Sequence, residues 1–167
     1  MKTPMTLAKK ILQGNSDRGL DSMPTLIAEA GVNHEGNLDT AKRLIAEATE
    51  GGADVIKFQT YRADTLASRH SPAYWDTERE PTESQFVLFQ KYDKFWKSEF
   101  EELKKYCDSA SIEFLSTPFD LESITFLNDL MSVFKISSSD ITNKPFIEYI
   151  CGFSKPIILS KSVSSKD

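Results

Sequence analysis

The sequence predicts an α/β fold with parallel strands, and three observations carry that prediction. Short apolar runs begin at Leu26, Val55, Ile112, Val133 and Ile157, so successive starts lie 29, 57, 21 and 24 residues apart. Three of those spacings are the length of a βα unit, the repeat from which parallel sheets are built. Between the runs, apolar residues recur at helical rather than alternating spacing. Polar residues close every run, where parallel α/β folds gather their ligands.

Residues 1–24 form an N-terminal lead, and after Pro24 an apolar run at 26–30, ending at Gly31, reads as a strand. Leu38, Ala41, Leu44, Ile45 and Ala48 then line one helix face, with Asn37 as N-cap, Asp39 in the first turn and Gly51-Gly52 as the stop. The second strand is 55–59. An insertion at about 62–97 follows, rich in aromatic and charged residues. It far exceeds an ordinary βα loop of ~2–6 residues. Gln85–Tyr92 adds a short helix within it. Phe100, Leu103 and Cys107 line the next helix, opened by a capping box from Ser98 to Glu101. Strands at 112–116, 133–136 and 156–159 complete the set. Leu121, Ile124, Leu127 and Met131 line the helix after the third, with Asp120 at its cap. Phe146, Ile147, Ile150 and Cys151 line the last helix, which Asn143 caps and Pro145 suits near its start.

Composition narrows the function classes. A net charge of −5 argues against a sequence-independent nucleic-acid binder, which needs a basic footprint. Cys107 and Cys151 show neither a CxxC nor a metal-ligand spacing, so reduced thiols in a cytoplasmic protein are expected. No apolar run approaches the ~20 residues of a membrane span. Residues 1–23 lack the apolar stretch of a signal peptide. The expectation is a cytoplasmic globular chain that binds neither nucleic acid nor membrane.

The strands carry unusual cargo. Lys57 and Gln59 share one face of the second strand, while Ile56 and Phe58 share the other. Lys135 sits inside the fourth strand, and Ser137-Ser138-Ser139 follows it. The first strand contains Glu29, the third ends Ser116-Thr117-Pro118, and the fifth ends at Ser160. Parallel strands are covered on both faces, so a lysine inside one needs an anionic partner. At ~4 Å and an effective dielectric of ~20, each lysine attracts a unit negative charge by ~4 kcal/mol before desolvation. A small-anion pocket follows, with a carboxylate that bears phosphate as its natural occupant.

Blander readings stand beside this one. Either lysine alone could snorkel to solvent, and Glu29 could be only a structural bridge to one of them. His34, in a loop, reads as a surface or capping histidine. Phe86, Phe89, Tyr92, Phe95 and Trp96 read as packing for the insertion. Two architectures also remain open: a small doubly wound sheet, or part of a (β/α)8 barrel, which takes ~250 residues when whole. Neither GxGxxG nor GxxxxGK[ST] follows the first strand, which weakens a nucleotide-binding sheet.

Four ordered motifs add a resemblance. Ile27-Ala28-Glu29-Ala30-Gly31-Val32-Asn33-His34-Glu35-Gly36 resembles the opening signature of the N-acetylneuraminate (sialic acid) synthase family, which includes the legionaminic and pseudaminic acid synthases. Lys57-Phe58-Gln59-Thr60, Ser116-Thr117-Pro118-Phe119 and Lys135-Ile136-Ser137-Ser138 recur there in the same order. Lys155-Pro156-Ile157-Ile158-Leu159-Ser160 is similar to its fifth-strand signature, so the likeness runs from about Thr25 to Ser160.

The resemblance implies a (β/α)8 TIM-barrel type fold, incomplete here, with about five strands and four helices over residues 25–167. It implies a transferase of sialic acid biosynthesis that condenses phosphoenolpyruvate with N-acetylmannosamine or a related N-acylated amino sugar and releases phosphate. By motif position, Lys57, Thr117, Lys135, Ser138 and Ser160 would hold phosphoenolpyruvate. Glu29 and Gln59 would face the sugar, with Glu29 as the catalytic carboxylate. A divalent metal, Mn2+ or Mg2+, and a homodimer are also implied. The family's metal-binding histidines lie on later strands. His34 and His70 are the only histidines here and match no such motif, so no metal residue is assigned. Lys161-Ser162-Val163 departs from the family's usual Thr-Gly after the fifth strand. The resulting expectation is a truncated barrel, inactive alone. The alternative is a non-catalytic anion-binding remnant or decayed copy of such an enzyme.

Overall fold

The structure, a computed structural model, describes residues 6–13 and 24–161. Most of the predicted lead, and the Ser162-Val163 departure, lie outside the described residues. Five strands alternate with helices: β1 (Ile27–Gly31), β2 (Val55–Thr60), β3 (Glu113–Pro118), β4 (Phe134–Ile136) and β5 (Ile157–Leu159). β1, β2 and β3 pair in parallel in that order, and β4 pairs in parallel with β5. β4 lies against β3. Strand neighbours therefore follow chain order, without the reversal that creates the crevice of a doubly wound sheet.

The helices lie where apolar spacing places them. α1 (Leu7–Leu12) precedes β1, and α2 (Leu38–Glu50) follows it. Asn37 caps α2, its Oδ1 accepting the Thr40 N–H at 2.9 Å, while Ala41 and Ile45 are buried. The insertion carries α3 (Ala63–Leu66) and α4 (Gln85–Tyr92), and α5 (Lys97–Ala110) then packs on α2. α6 (Leu121–Leu127) and α7 (Lys144–Cys151) complete the layer, capped by Asp120 and Asn143 as predicted. The core lies between sheet and helices, around Phe58, Phe114, Phe100, Leu103 and Phe134.

The structure differs from expectation at several places. The capping box of α5 sits two residues earlier than Ser98 and Glu101. The Glu99 carboxylate accepts the Trp96 N–H at 2.9 Å, and this bond with the helix's own N–H holds its pKa low. Met131 lies beyond the end of α6 yet stays buried, its sulfur accepting the Ser116 N–H at 2.9 Å. β3 begins at Glu113, one residue later than expected, and ends at Pro118. α1 lies inside the predicted lead. Leu7, Ala8, Ile11 and Leu12 recur in it at helical spacing, though only Leu7 is buried. Tertiary bonds also hold it: the Leu7 N–H donates to Glu113 Oε2 at 2.6 Å, and Lys10 pairs with Asp54 at 2.8 Å.

Candidate functional site

β2 brings the site together. Register pairs Glu29 with Lys57 across β1 and β2, and Gln59 with Thr117 across β2 and β3, so neighbouring side chains share a face. An irregularity in the β1–β2 ladder between Glu29 and Gly31 leaves Ala30 unpaired. Gly31 there takes φ +54°, and a Cβ on it would stand 3.3 Å from Glu29 Oε1 and 3.7 Å from Gln59 Nε2. A side chain at Gly31 would crowd both groups and strain the backbone.

A cavity of about 210 Å³ opens at the carboxyl ends of the strands. Lys57 and Lys135 line it with Glu29 and Gln59. Thr117, Ser138 and Ser160 add hydroxyls, so every sequence-selected site residue meets there. Phe119 and Ser137 line it too, and the sequence analysis assigned neither a role. Their signal was position, since both lie within or next to the quoted strand-end motifs.

Charges in the cavity are close-set. Glu29 and Lys57 form an ion pair, in which the Lys57 side chain is 15% exposed and that of Glu29 52%. The structural bridge envisaged for Glu29 thus exists, inside the same cavity. Lys135 Nζ donates to the Ile136 carbonyl at 2.6 Å. Burial, and next the nearby Lys57 ammonium, push its pKa below the ordinary lysine range, with Glu29 working the other way. A second cation made less comfortable by the first is what an incoming anion relieves.

A larger cavity, about 680 Å³, lies at the opposite ends of the strands beside α1. Its charged groups already have partners: Lys10 pairs with Asp54 and Lys104 with Asp108 at 2.6 Å, while Glu113 accepts the Leu7 N–H and the Ser132 hydroxyl. Size alone therefore does not select the site.

His34 corrects the sequence reading. It is 1% exposed, stacked on Phe95 at 4.1 Å between ring centroids, so it is no surface residue. Its Nδ1 accepts the Gly36 N–H at 3.1 Å, which leaves the proton on Nε2, a buried atom without a hydrogen-bond partner. Burial pushes its pKa down to about 4. The insertion's aromatics pack as expected: Phe89 meets Tyr61 edge-on, and Trp96 lies near Phe126. Among the described residues no group of three or more His, Cys, Asp or Glu side chains is arranged to hold a metal ion. These residues do not fit a metal. No helix among them is long and apolar enough to cross a membrane.

Comparison with known proteins agrees with the motifs. The model of the NeuB family matches residues 44–167. The N,N'-diacetyllegionaminic acid synthase of Campylobacter jejuni is 42% identical over 144 residues, which cover 84% of this chain and 42% of that protein. The human N-acetylneuraminate-9-phosphate synthase is 31% identical over 143 residues, covering 85% and 40%. The crystal structure of an N-acetylneuraminic acid synthetase from Leptospira borgpetersenii, in complex with citrate, superposes with a TM-score of 0.71 at 33% identity. That match covers 87% of this chain and 47% of the other. A truncated 3-deoxy-D-arabino-heptulosonate 7-phosphate synthase from Thermotoga maritima, 10% identical with a TM-score of 0.58, shares the fold alone. The chain spans about two fifths of the length of the curated relatives it matches.

Proposed function

This chain belongs to the NeuB family, and from that premise we propose that its cavity binds phosphoenolpyruvate for condensation with an N-acylated amino sugar. The observation that carries the reading is the convergence of Lys57 and Lys135 with three hydroxyls around one cavity. Two cations offset the charge of a phosphorylated carboxylate, and the Thr117, Ser138 and Ser160 hydroxyls donate to its oxygens. The new carbon–carbon bond joins the enol methylene of phosphoenolpyruvate to the sugar aldehyde carbon, the aldehyde oxygen takes up a proton to become a hydroxyl, and one water supplies the oxygen balance as the phosphate ester is broken and inorganic phosphate leaves. Glu29, placed beside Lys57, is the group that hydrogen-bonds the sugar and exchanges a proton at the aldehyde oxygen. Gln59 orients the same substrate. We place the chain in a (β/α)8 barrel of which the described strands are a five-strand arc, in a cytoplasmic homodimeric synthase that uses a divalent metal. The 167 residues alone are expected to bind the anion without turnover, because the family's metal-bearing strands are not among them; among the described residues β1 pairs only with β2 and β5 only with β4, edges that invite association.

The test is calorimetric titration with phosphoenolpyruvate, followed by phosphate release from the complete synthase with N-acetylmannosamine or an unacetylated aldose. Binding is expected, and release only with the N-acylated sugar. Absence of binding, or equal release with the plain aldose, overturns the reading.

Glu29→Gln separates the roles in the pocket. It removes a negative charge and frees Lys57 from its internal counter-ion, so phosphoenolpyruvate should bind several-fold more tightly. The gain stays modest because the Glu29 side chain is half exposed and solvent screens it. Calorimetry on the variant reads this directly, and weaker binding would mean that Glu29 helps to hold the anion.

A further inference from the structure

Phe119 is the one apolar side chain among the described residues that line the carboxyl-end cavity; the other walls are ammonium, carboxylate, amide and hydroxyl groups. An aromatic ring offers inorganic phosphate no hydrogen-bond donor and only raises the cost of desolvating it. It suits the flat carbon skeleton of an organic acid.

The ring is also held in place. The Phe119 N–H donates to the Thr60 carbonyl at 3.2 Å. Its ring meets Tyr61 edge-on, 6.2 Å between centroids at 82°. Tyr61 is buried and meets Phe89 of α4 at 5.6 Å and 62°. No residue of the insertion lines the cavity, but Phe89 of α4 packs on Tyr61 and Tyr61 on Phe119, which does line it.

We infer that Phe119 is a specificity-determining residue that contacts the carbon skeleton of the bound organic phosphate, and that Tyr61 and Phe89 are positioning residues that hold its ring. The inference rests on the proposal that the cavity takes phosphoenolpyruvate. It gives the insertion an indirect hand in selectivity, by bracing one wall of the pocket.

The test titrates phosphoenolpyruvate and inorganic phosphate separately into the unsubstituted chain, Phe119→Ala, Phe119→Leu, Phe89→Ala and Phe89→Leu. Phe119→Ala should raise the phosphoenolpyruvate Kd about five- to tenfold while leaving the phosphate Kd within about twofold. Phe119→Leu should shift it less, and it decides alone if the alanine variant does not fold. Phe89→Ala should move the ratio of the two constants in the same direction by a smaller factor, with Phe89→Leu restoring it. An unchanged ratio, or equal weakening of both ligands, overturns the inference while the phosphoenolpyruvate reading stands. An unsubstituted chain that binds neither ligand overturns that reading, and the inference with it.

Discussion

Replacing Lys57 and Lys135 together with methionine should weaken phosphoenolpyruvate binding by roughly 100- to 1,000-fold. A hydrogen bond to a charged group contributes about 1.5–3 kcal/mol, and each 1.4 kcal/mol is tenfold in affinity. The two lysines are not equivalent. Lys57 is paired with Glu29, so Lys57→Met leaves a carboxylate facing the incoming anion and adds repulsion to the lost attraction. Lys135→Met removes a cation that burial and Lys57 already disfavour, so its cost falls on binding and not on folding. Lys57→Met should therefore be the more damaging single change. Titration calorimetry at fixed ionic strength reads the affinities, and thermal unfolding reads the stability. Affinity of the double variant within threefold of the parent would remove the anion site from this cavity.

The second large effect is acid lability through His34. Its pKa falls from 6.5 in the unfolded chain to about 4 in the fold, because burial penalises the imidazolium. Above about pH 6.5 neither state is protonated there, and the native state keeps its full stability. As pH falls towards about 4 the unfolded chain takes up a proton that the folded chain refuses, so stability is lost across that window. At about 1.4 kcal/mol per pH unit the loss reaches roughly 3 kcal/mol. Below about pH 4 both states are protonated and the contribution flattens. Urea unfolding at several pH values should show this slope in the parent and a shallower one in His34→Gln, whose side-chain carbonyl can still accept the Gly36 N–H. Parallel stability curves for the two proteins between pH 4 and 6.5 would show that His34 takes its proton in the fold.

Much of the site was readable because it depends on residue type at a strand position. Lys57 and Lys135 betrayed it: a lysine between apolar neighbours in a parallel strand is costly unless something anionic answers it. Helix caps were equally local, and Asn37, Asp120 and Asn143 all cap where the sequence puts them. The α5 start was misplaced because Ser98 and Glu101 satisfy the same spacing as Trp96 and Glu99. Only the observed bond from the Trp96 N–H distinguishes the two registers. α1 was not expected, although Leu7, Ala8, Ile11 and Leu12 follow helical spacing; what fixes it, its contacts with Glu113 and Asp54, joins residues far apart in the chain.

The sequence by itself determined which residues gather at the candidate site and in what order the strands bring them, because side-chain alternation and βα spacing are local rules. It also determined the family likeness, since the motifs are contiguous. Tertiary structure alone decided that Glu29 answers Lys57, which register and the ladder irregularity at Ala30 arrange. Packing alone turned His34 from a loop histidine into a buried neutral one, by closing Phe95 over it. It also put Phe119 into the wall of an otherwise polar cavity. Those three outcomes depend on distances between segments that are remote in sequence, and no local pattern encodes such distances.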